Sequence, residues 1–158
     1  MGSAKGDKFR KIAQSYVLES LTHSANHYMS TLSGRYSLKN TPGSFVIMVE
    51  DAYQGGAMRA SSTLSGGETF LVSLSLALAL SDIGDRLGID TLFIDEGFGT
   101  LDPDTLNTVI ESLAMLQSSQ GKKVGVISHT DTMREQITTQ ISVIKNGNSG
   151  SSHIEIYP

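Results

Sequence analysis

The chain has no cysteine, which excludes a disulfide framework and any zinc site built on thiolates. Such a composition suits a reducing compartment such as the cytoplasm. Basic charge is scarce as well. Twelve Lys and Arg stand against sixteen Asp and Glu, a net charge of −4, which argues against a wholesale basic footprint for nucleic acid. A local patch survives where Lys5, Lys8, Arg10 and Lys11 bunch near the N-terminus. Long hydrophobic runs are missing: the longest, residues 70–80, is too short and too rich in serine to span a bilayer, so no membrane partner is expected. The phosphate-binding loop G-x-x-x-x-G-K-[ST] is absent too. The nearest string, Gly121-Lys122-Lys123, lacks the upstream glycine and runs into a strand.

What is present is the make-up of one soluble globular domain, 39% apolar and 18% charged over 158 residues. Met1-Gly2-Ser3 resembles the remnant of an expression tag, and residues 1–6 read as tag or linker on what is expected to be a fragment. From Phe9, apolar residues recur at spacings of three and four through Ile12, Tyr16, Val17, Leu21, Ala25, Tyr28, Met29 and Leu32, so an amphipathic helix is expected over 7–34, closed by Gly34. Residues 36–38 and 45–50 read as strands about a Thr41-Pro42-Gly43-Ser44 turn, and Gly55-Gly56 marks another turn before a loop carrying Arg59.

Residues 71–81 send mixed signals. Leu74, Leu76, Leu78 and Leu80 alternate with Ser and Ala at the strand period, yet Leu and Ala favour helix and the only β-branched residue is Val72. Ser65-x-x-Glu68 is a capping box, so a helix is expected, apolar nearly all round, buried, and ending before Gly88. Residues 91–95 form an apolar strand ending in acid. Asp102-Pro103 opens the next helix as N-cap and first-turn proline, with Leu106, Val109, Ile110, Leu113 and Leu116 facing inward and Gly121 beyond its end. Residues 123–128 read as a second buried strand, completing a parallel, right-handed βαβ unit. A short helix over 131–136 and a hairpin of 141–145 with 153–157 close the chain. The 35–158 stretch is read as a single α/β lobe.

Three groups could carry chemistry. Ser65-Gly66-Gly67-Glu68 puts unpaired helix amides and glycines where an anion can approach closely, although a plain helix cap explains the same letters. Asp95 and Glu96 follow a parallel strand, at the edge where open α/β sheets bind ligands. An Asp there suits Mg²⁺ beside nucleotide phosphates, and the Glu suits a general base for water; a solvated acidic turn is the simpler account. Asp102 taken alone is an N-cap. His129 ends the second strand at the same sheet edge as Asp95 and Glu96. His23 and His27 share a helix face at a spacing zinc can use, but lack a third ligand nearby, and His153 reads as structural.

The order of these signals is more specific than any one of them. Leu64-Ser65-Gly66-Gly67-Glu68, then Ala77-Leu78-Ala79-Leu80-Ser81-Asp82, then Leu92-Phe93-Ile94-Asp95-Glu96-Gly97-Phe98-Gly99-Thr100-Leu101-Asp102, then Gly125-Val126-Ile127-Ser128-His129 resemble the SbcC family. These are SMC-like ATPases of DNA double-strand-break processing, and the resemblance runs from Phe9 to the C-terminus. It implies the C-terminal lobe of a P-loop, ABC-type ATPase head, with ATP and Mg²⁺ as cofactors. Ser65, Gly66, Gly67 and Glu68 would be the signature motif that meets the γ-phosphate of ATP on an opposing head. Asp95 would be the Walker B aspartate near Mg²⁺ and Glu96 the catalytic base. Asp102 would belong to the D-loop at the dimer seam, and His129 would be the switch histidine. The helix over 7–34 would be the root of a coiled coil.

Partners implied in the same way are the chain's own N-terminal lobe with its lysine loop, a second head in a homodimer, an SbcD-type nuclease, and DNA. Without that lysine loop, this stretch alone is expected to bind ATP poorly and hydrolyse none. Rival readings are the matching half of another ABC ATPase, SMC or transporter, and a non-catalytic dimerisation module. Transporter ATPases often carry Pro after Asp-Glu, where this chain has Gly97.

Overall fold

A computed structural model describes residues 3–41, 44–85, 90–147 and 150–157. Helix α1, Ser3–Leu32, leads into a three-stranded antiparallel sheet of β1 (Tyr36–Asn40), β2 (Ile47–Asp51) and β3 (Ala57–Ala60), in that order. Helix α2, Gly66–Asp85, follows. Strand β4 (Thr91–Asp95), helix α3 (Pro103–Gln120) and strand β5 (Lys123–Ile127) form the expected βαβ unit, with β4 and β5 parallel and Asp95 level with Ile127. Helix α4 (Asp131–Gln136) and the hairpin of β6 (Gln140–Lys145) and β7 (Ser152–Tyr157) complete the chain. No helix among the described residues is long and apolar enough to cross a membrane.

Beyond shifts of one or two residues at element ends, two assignments differ from expectation. Helix α1 starts inside the stretch read as tag or linker, and the residues read as a loop around Arg59 pair with β2 as a third strand, Arg59 opposite Val49. The short segment Ala57-Met58-Arg59-Ala60 has neither alternation nor β-branched residues, so its strand character comes from the ladder, not from local preference.

The core lies where α1, α2 and α3 meet the sheets. Ala25, Met29 and Leu32 of α1 pack with Leu71, Leu74 and Leu78 of α2 and with Leu106, Val109, Leu113 and Leu116 of α3. The α3 face agrees with the sequence pattern, Ile110 being partly buried. Asn26 ties α1 to β1 through both ends of its amide: Nδ2 donates to Leu38 O (2.8 Å) and Oδ1 accepts from Leu38 N (2.6 Å). A second polar tie runs through the buried Lys122, whose Nζ donates to Ser81 Oγ and Asp82 Oδ1, while Tyr28 OH donates to the same Asp82 oxygen at 2.6 Å. A buried ammonium needs such partners, since an uncompensated one costs several kcal/mol, on the order of 3–5 when a partner is removed.

Burial departs from the sequence reading in three places, always in the same direction. Helix α2 buries one face only, and Leu80 is 53% exposed. The strands expected to be buried expose Phe93 (71%) and Ile127 (53%). The first half of the α1 stripe, Phe9, Ile12, Tyr16 and Val17, faces solvent. Apart from these, one face of the closing hairpin also faces solvent, where Ile141 pairs with Ile156 and Val143 with Ile154. A two-stranded sheet with a bare apolar face is marginal by itself, and among the described residues nothing covers this one.

Candidate active site at the sheet edge

Because β4 and β5 are parallel, their C-terminal ends deliver Asp95, Glu96 and His129 to one edge. Chain reversal there is abrupt. Glu96 has φ +60 and is the one non-glycine residue with positive φ among the described residues, and Gly97 follows with φ +97. Glu96 N donates to Ile127 O across the two strands at 2.9 Å, which pins the turn. A β-carbon on Gly97 would stand 2.4 Å from Phe70 Cδ2, so the loop is pressed against α2. Proline, with φ near −65°, has no place at this position. Phe98 is fully buried against Phe70, ring centroids 4.9 Å apart, and anchors the far side. Holding a carboxylate-bearing residue in the left-handed region costs on the order of 1–3 kcal/mol, the kind of strain that collects at working sites.

His129 Nδ1 lies 2.9 Å from both Glu96 carboxylate oxygens. The hydrogen bond, then the charge of Glu96, raises the His129 pKa above its ordinary value. Both side chains face solvent, as a pair that must meet an external ligand would. Asp95 is also exposed and makes no hydrogen bond or ion pair among the described residues, leaving its oxygens free for a cation. Mg²⁺ keeps several waters and needs only one or two protein carboxylates beside phosphate oxygens, so this donor set fits it. No group of three His, Cys, Asp or Glu that could hold a metal by itself occurs among the described residues, His23 and His27 included. An apolar groove of about 310 Å³ between α2 and β4, lined by Phe70, Leu74, Ala77, Leu92, Phe93 and Ile94, opens beside Asp95 and Glu96.

The Ser65–Glu68 loop forms the anticipated reciprocal cap: Ser65 N donates to Glu68 Oε2 (2.7 Å), and Glu68 N donates to Ser65 Oγ (3.3 Å). Its glycines have a packing reason that sequence reasoning did not supply. A β-carbon on Gly67 would stand 3.0 Å from Thr100 O and 3.6 Å from Leu101 Cδ2. The segment from Glu96 to Asp102 therefore runs across the first turn of α2 and links the two halves of the site. Asp102 ends it as the N-cap of α3, accepting from Thr105 N and Thr105 Oγ1, which lower its pKa.

The structure thus gathers Asp95, Glu96 and His129 at one place, and Ser65 to Glu68 at another. Among the described residues no hydrogen bond or ion pair joins the two groups. Two residues without a sequence signal also reach the capping loop. Arg59 Nη1 and Nη2 donate to Glu68 Oε1 (2.9 Å) and Oε2 (3.1 Å), and Tyr36 OH donates to Glu68 Oε1 (2.6 Å). Arg59 foremost, then Tyr36 and the Ser65 amide, hold the Glu68 pKa down at about 2, against the opposing effect of burial. Burial, then Glu68, pushes the Tyr36 phenol up to about 12.

A mixed α/β lobe with acidic residues at the edge of a parallel strand pair and a capped helix beside it is a fold shared with solved SMC head domains. The chain superposes on a structure reported for "ATP-driven dimerization and DNA stimulated activation of SMC ATPases" with TM-score 0.70, 21% identity, and coverage of 94% of this chain and 89% of that one. The SMC head domain from Thermotoga maritima matches with TM-score 0.61, 24% identity, and coverage of 89% and 48%. Residues 41–115 match the family described as SbcC/RAD50-like, Walker B motif. The SbcC component of the SbcCD nuclease from Pseudomonas aeruginosa is 46% identical over 153 residues, covering 96% of this chain and 13% of that protein. The chain belongs to the SbcC/RAD50-like family and corresponds to its C-terminal ATPase lobe. It spans about an eighth of the length of the curated relatives it matches.

Proposed function

We propose that this lobe is half of an ATP-hydrolysing head in an SbcC-like component of a DNA-processing nuclease, and that it works on nucleotide shared between two heads. The observation that carries the proposal is the Glu96–His129 pair, held on a strained turn at the C-terminal edge of parallel strands. Glu96 takes the proton of the water that attacks the γ-phosphate. His129, bonded to Glu96 through Nδ1, aligns the carboxylate and leaves Nε2 to meet the phosphate or the water. Asp95 would hold Mg²⁺, which when bound would supply positive charge beside the phosphates. The Ser65 hydroxyl and the first amides of α2 receive the γ-phosphate carried by the opposing head, and Asp102 lies at the seam between heads.

The lysine loop that grips the β- and γ-phosphates comes from an N-terminal lobe of the same protein. Phe93, Ile127 and the apolar hairpin face are surface suited to that lobe, and the open half of the α1 stripe suits a coiled-coil partner helix. By itself this lobe hydrolyses no ATP. Head closure on two Mg-ATP molecules is coupled in turn to DNA and to an SbcD-type nuclease partner.

The test is Glu96→Gln in the full-length protein. Loss of the base lowers ATP turnover by about 10²–10⁴-fold while ATP binding persists and closed head dimers accumulate. Turnover within a few fold of wild type would remove Glu96 from the base's role.

A further inference from the structure

The Ser65–Glu68 loop carries a contradiction that the fold resolves. Its cap depends on a carboxylate in the first turn of α2, close to the amides that are to receive an anion. Glu68 is a fixed negative charge, held ionised by the donors that surround it. An ionised group at that distance repels an incoming phosphate, and the surroundings are partly dry: the side chains of Glu68 and Arg59 are 17% and 20% exposed.

We propose that Arg59 is a positioning residue whose work is to cancel the Glu68 charge, so that the Ser65 loop can hold its cap and still accept phosphate. This rests on the reading of that loop as the γ-phosphate contact. The geometry is specific. Arg59 meets Glu68 with both terminal nitrogens, one to each carboxylate oxygen, and Nη2 also donates to Thr63 O at 2.7 Å, fixing the chain just before the loop. Behind it, Asp51 is fully buried and lies 3.5 Å from Arg59 Nη1, while accepting a bidentate pair from Arg35 Nε (2.8 Å) and Nη2 (2.6 Å). Two arginines and two carboxylates therefore make a neutral cluster, and Tyr36 OH adds a neutral donor to Glu68. The two terminal nitrogens of the guanidinium are engaged by the Glu68 carboxylate and the Thr63 carbonyl. Its fork is spent on Glu68, so its effect on phosphate is indirect, through removal of repulsion and through the fixed placement of Ser65.

The full-length protein tests this with five variants: Arg59→Met, Arg59→Lys, Glu68→Gln, the double variant Arg59→Met/Glu68→Gln, and Ser65→Arg. Gln preserves the capping box, since Gln serves there as well as Glu, but carries no charge. Two measurements are made: ATP binding to separated heads, and the ATP concentration that half-saturates head dimerisation.

Arg59→Met should raise that concentration on the order of tenfold, the effect of one uncompensated charge within about 10 Å at an effective dielectric near 20. Single-head ATP binding should stay unchanged. The double variant should dimerise at a several-fold lower ATP concentration than Arg59→Met, because the charge that needed cancelling is gone. A purely structural Arg59 predicts the reverse, with the double variant at least as impaired as the single one. Wild-type dimerisation by Arg59→Met, or no recovery in the double variant, overturns the proposal. If Arg59→Met does not fold, Arg59→Lys decides: it keeps the charge without the fork and should stay within a few fold of wild type, whereas a loss as large as tenfold overturns charge compensation. Ser65→Arg separates the two readings. If it leaves ATP-driven dimerisation intact, the loop is not the phosphate contact; if it abolishes dimerisation while Arg59→Met does not impair it, Arg59 alone is refuted.

Discussion

Replacing Gly97 by alanine tests how the turn holds Glu96. Two costs add at this residue. The backbone sits at φ +97, ψ −22, outside the left-handed well that L-residues tolerate, a penalty of about 1–3 kcal/mol. The new β-carbon meets Phe70 Cδ2 at 2.4 Å and Cε2 at 2.6 Å, so the ring or the loop must move, and overpacking of that kind costs about 1–3 kcal/mol more. Movement of Phe70 is limited because its ring also packs on the buried Phe98, centroids 4.9 Å apart. The expected loss is therefore about 2–6 kcal/mol, or a fall in the melting temperature of the head of about 4–24 °C at the 2–4 °C per kcal/mol of a domain this size.

The same displacement moves Glu96, the preceding residue, so ATP turnover should fall by at least tenfold even well below the melting temperature; a misplacement of about 1 Å can cost 10²-fold. Scanning calorimetry and steady-state ATPase on the full-length protein supply both readings. A double variant with Phe70→Leu separates the causes, since a smaller side chain relieves the clash but not the backbone. Its stability should exceed the sum of the single effects by about 0.5–3 kcal/mol. A Gly97→Ala protein within about 0.5 kcal/mol of wild type, or strict additivity in the double variant, would refute the packing argument.

The remaining expectations are narrower. The Glu96 carboxylate raises the His129 pKa, so their pairing contributes stability that is complete below about 6.5, the unfolded value, and is lost as pH rises through the raised one. The gap in melting temperature between wild type and His129→Asn should be wider at pH 5.5 than at pH 9, and a gap independent of pH would refute the assignment. Asp102→Ala removes two bonds from Thr105 at the start of α3 and should cost about 1 kcal/mol, read as a melting shift of about 2–4 °C. An activity loss far beyond that shift would show that Asp102 does more than cap the helix.

Local chemistry made much of this protein legible from its letters. The capping box at Ser65 and Glu68 and the Asp102-Pro103 start need only neighbours within a turn, and both occur where the spacing placed them. The parallel strand pair followed from length and apolar runs, and with it the shared edge for Asp95, Glu96 and His129. The Arg59 strand was illegible because its ladder partner, β2, supplies the preference that its own residues lack. Burial was overestimated in α2, β4 and β5 because the apolar pattern reflects faces that these residues alone leave open.

The sequence by itself thus determined most of the elements, their caps and the order of the acidic, glycine-rich and histidine segments, because hydrogen bonding over three or four residues and hydrophobic periodicity are written along the chain. Only the tertiary structure decided that Glu96 occupies a left-handed turn against Phe70, that Gly67 yields space to the Thr100 carbonyl, and that Tyr36 and Arg59 converge on Glu68. Those contacts join residues on separate elements, and no spacing along the chain encodes a charge cancelled across a sheet.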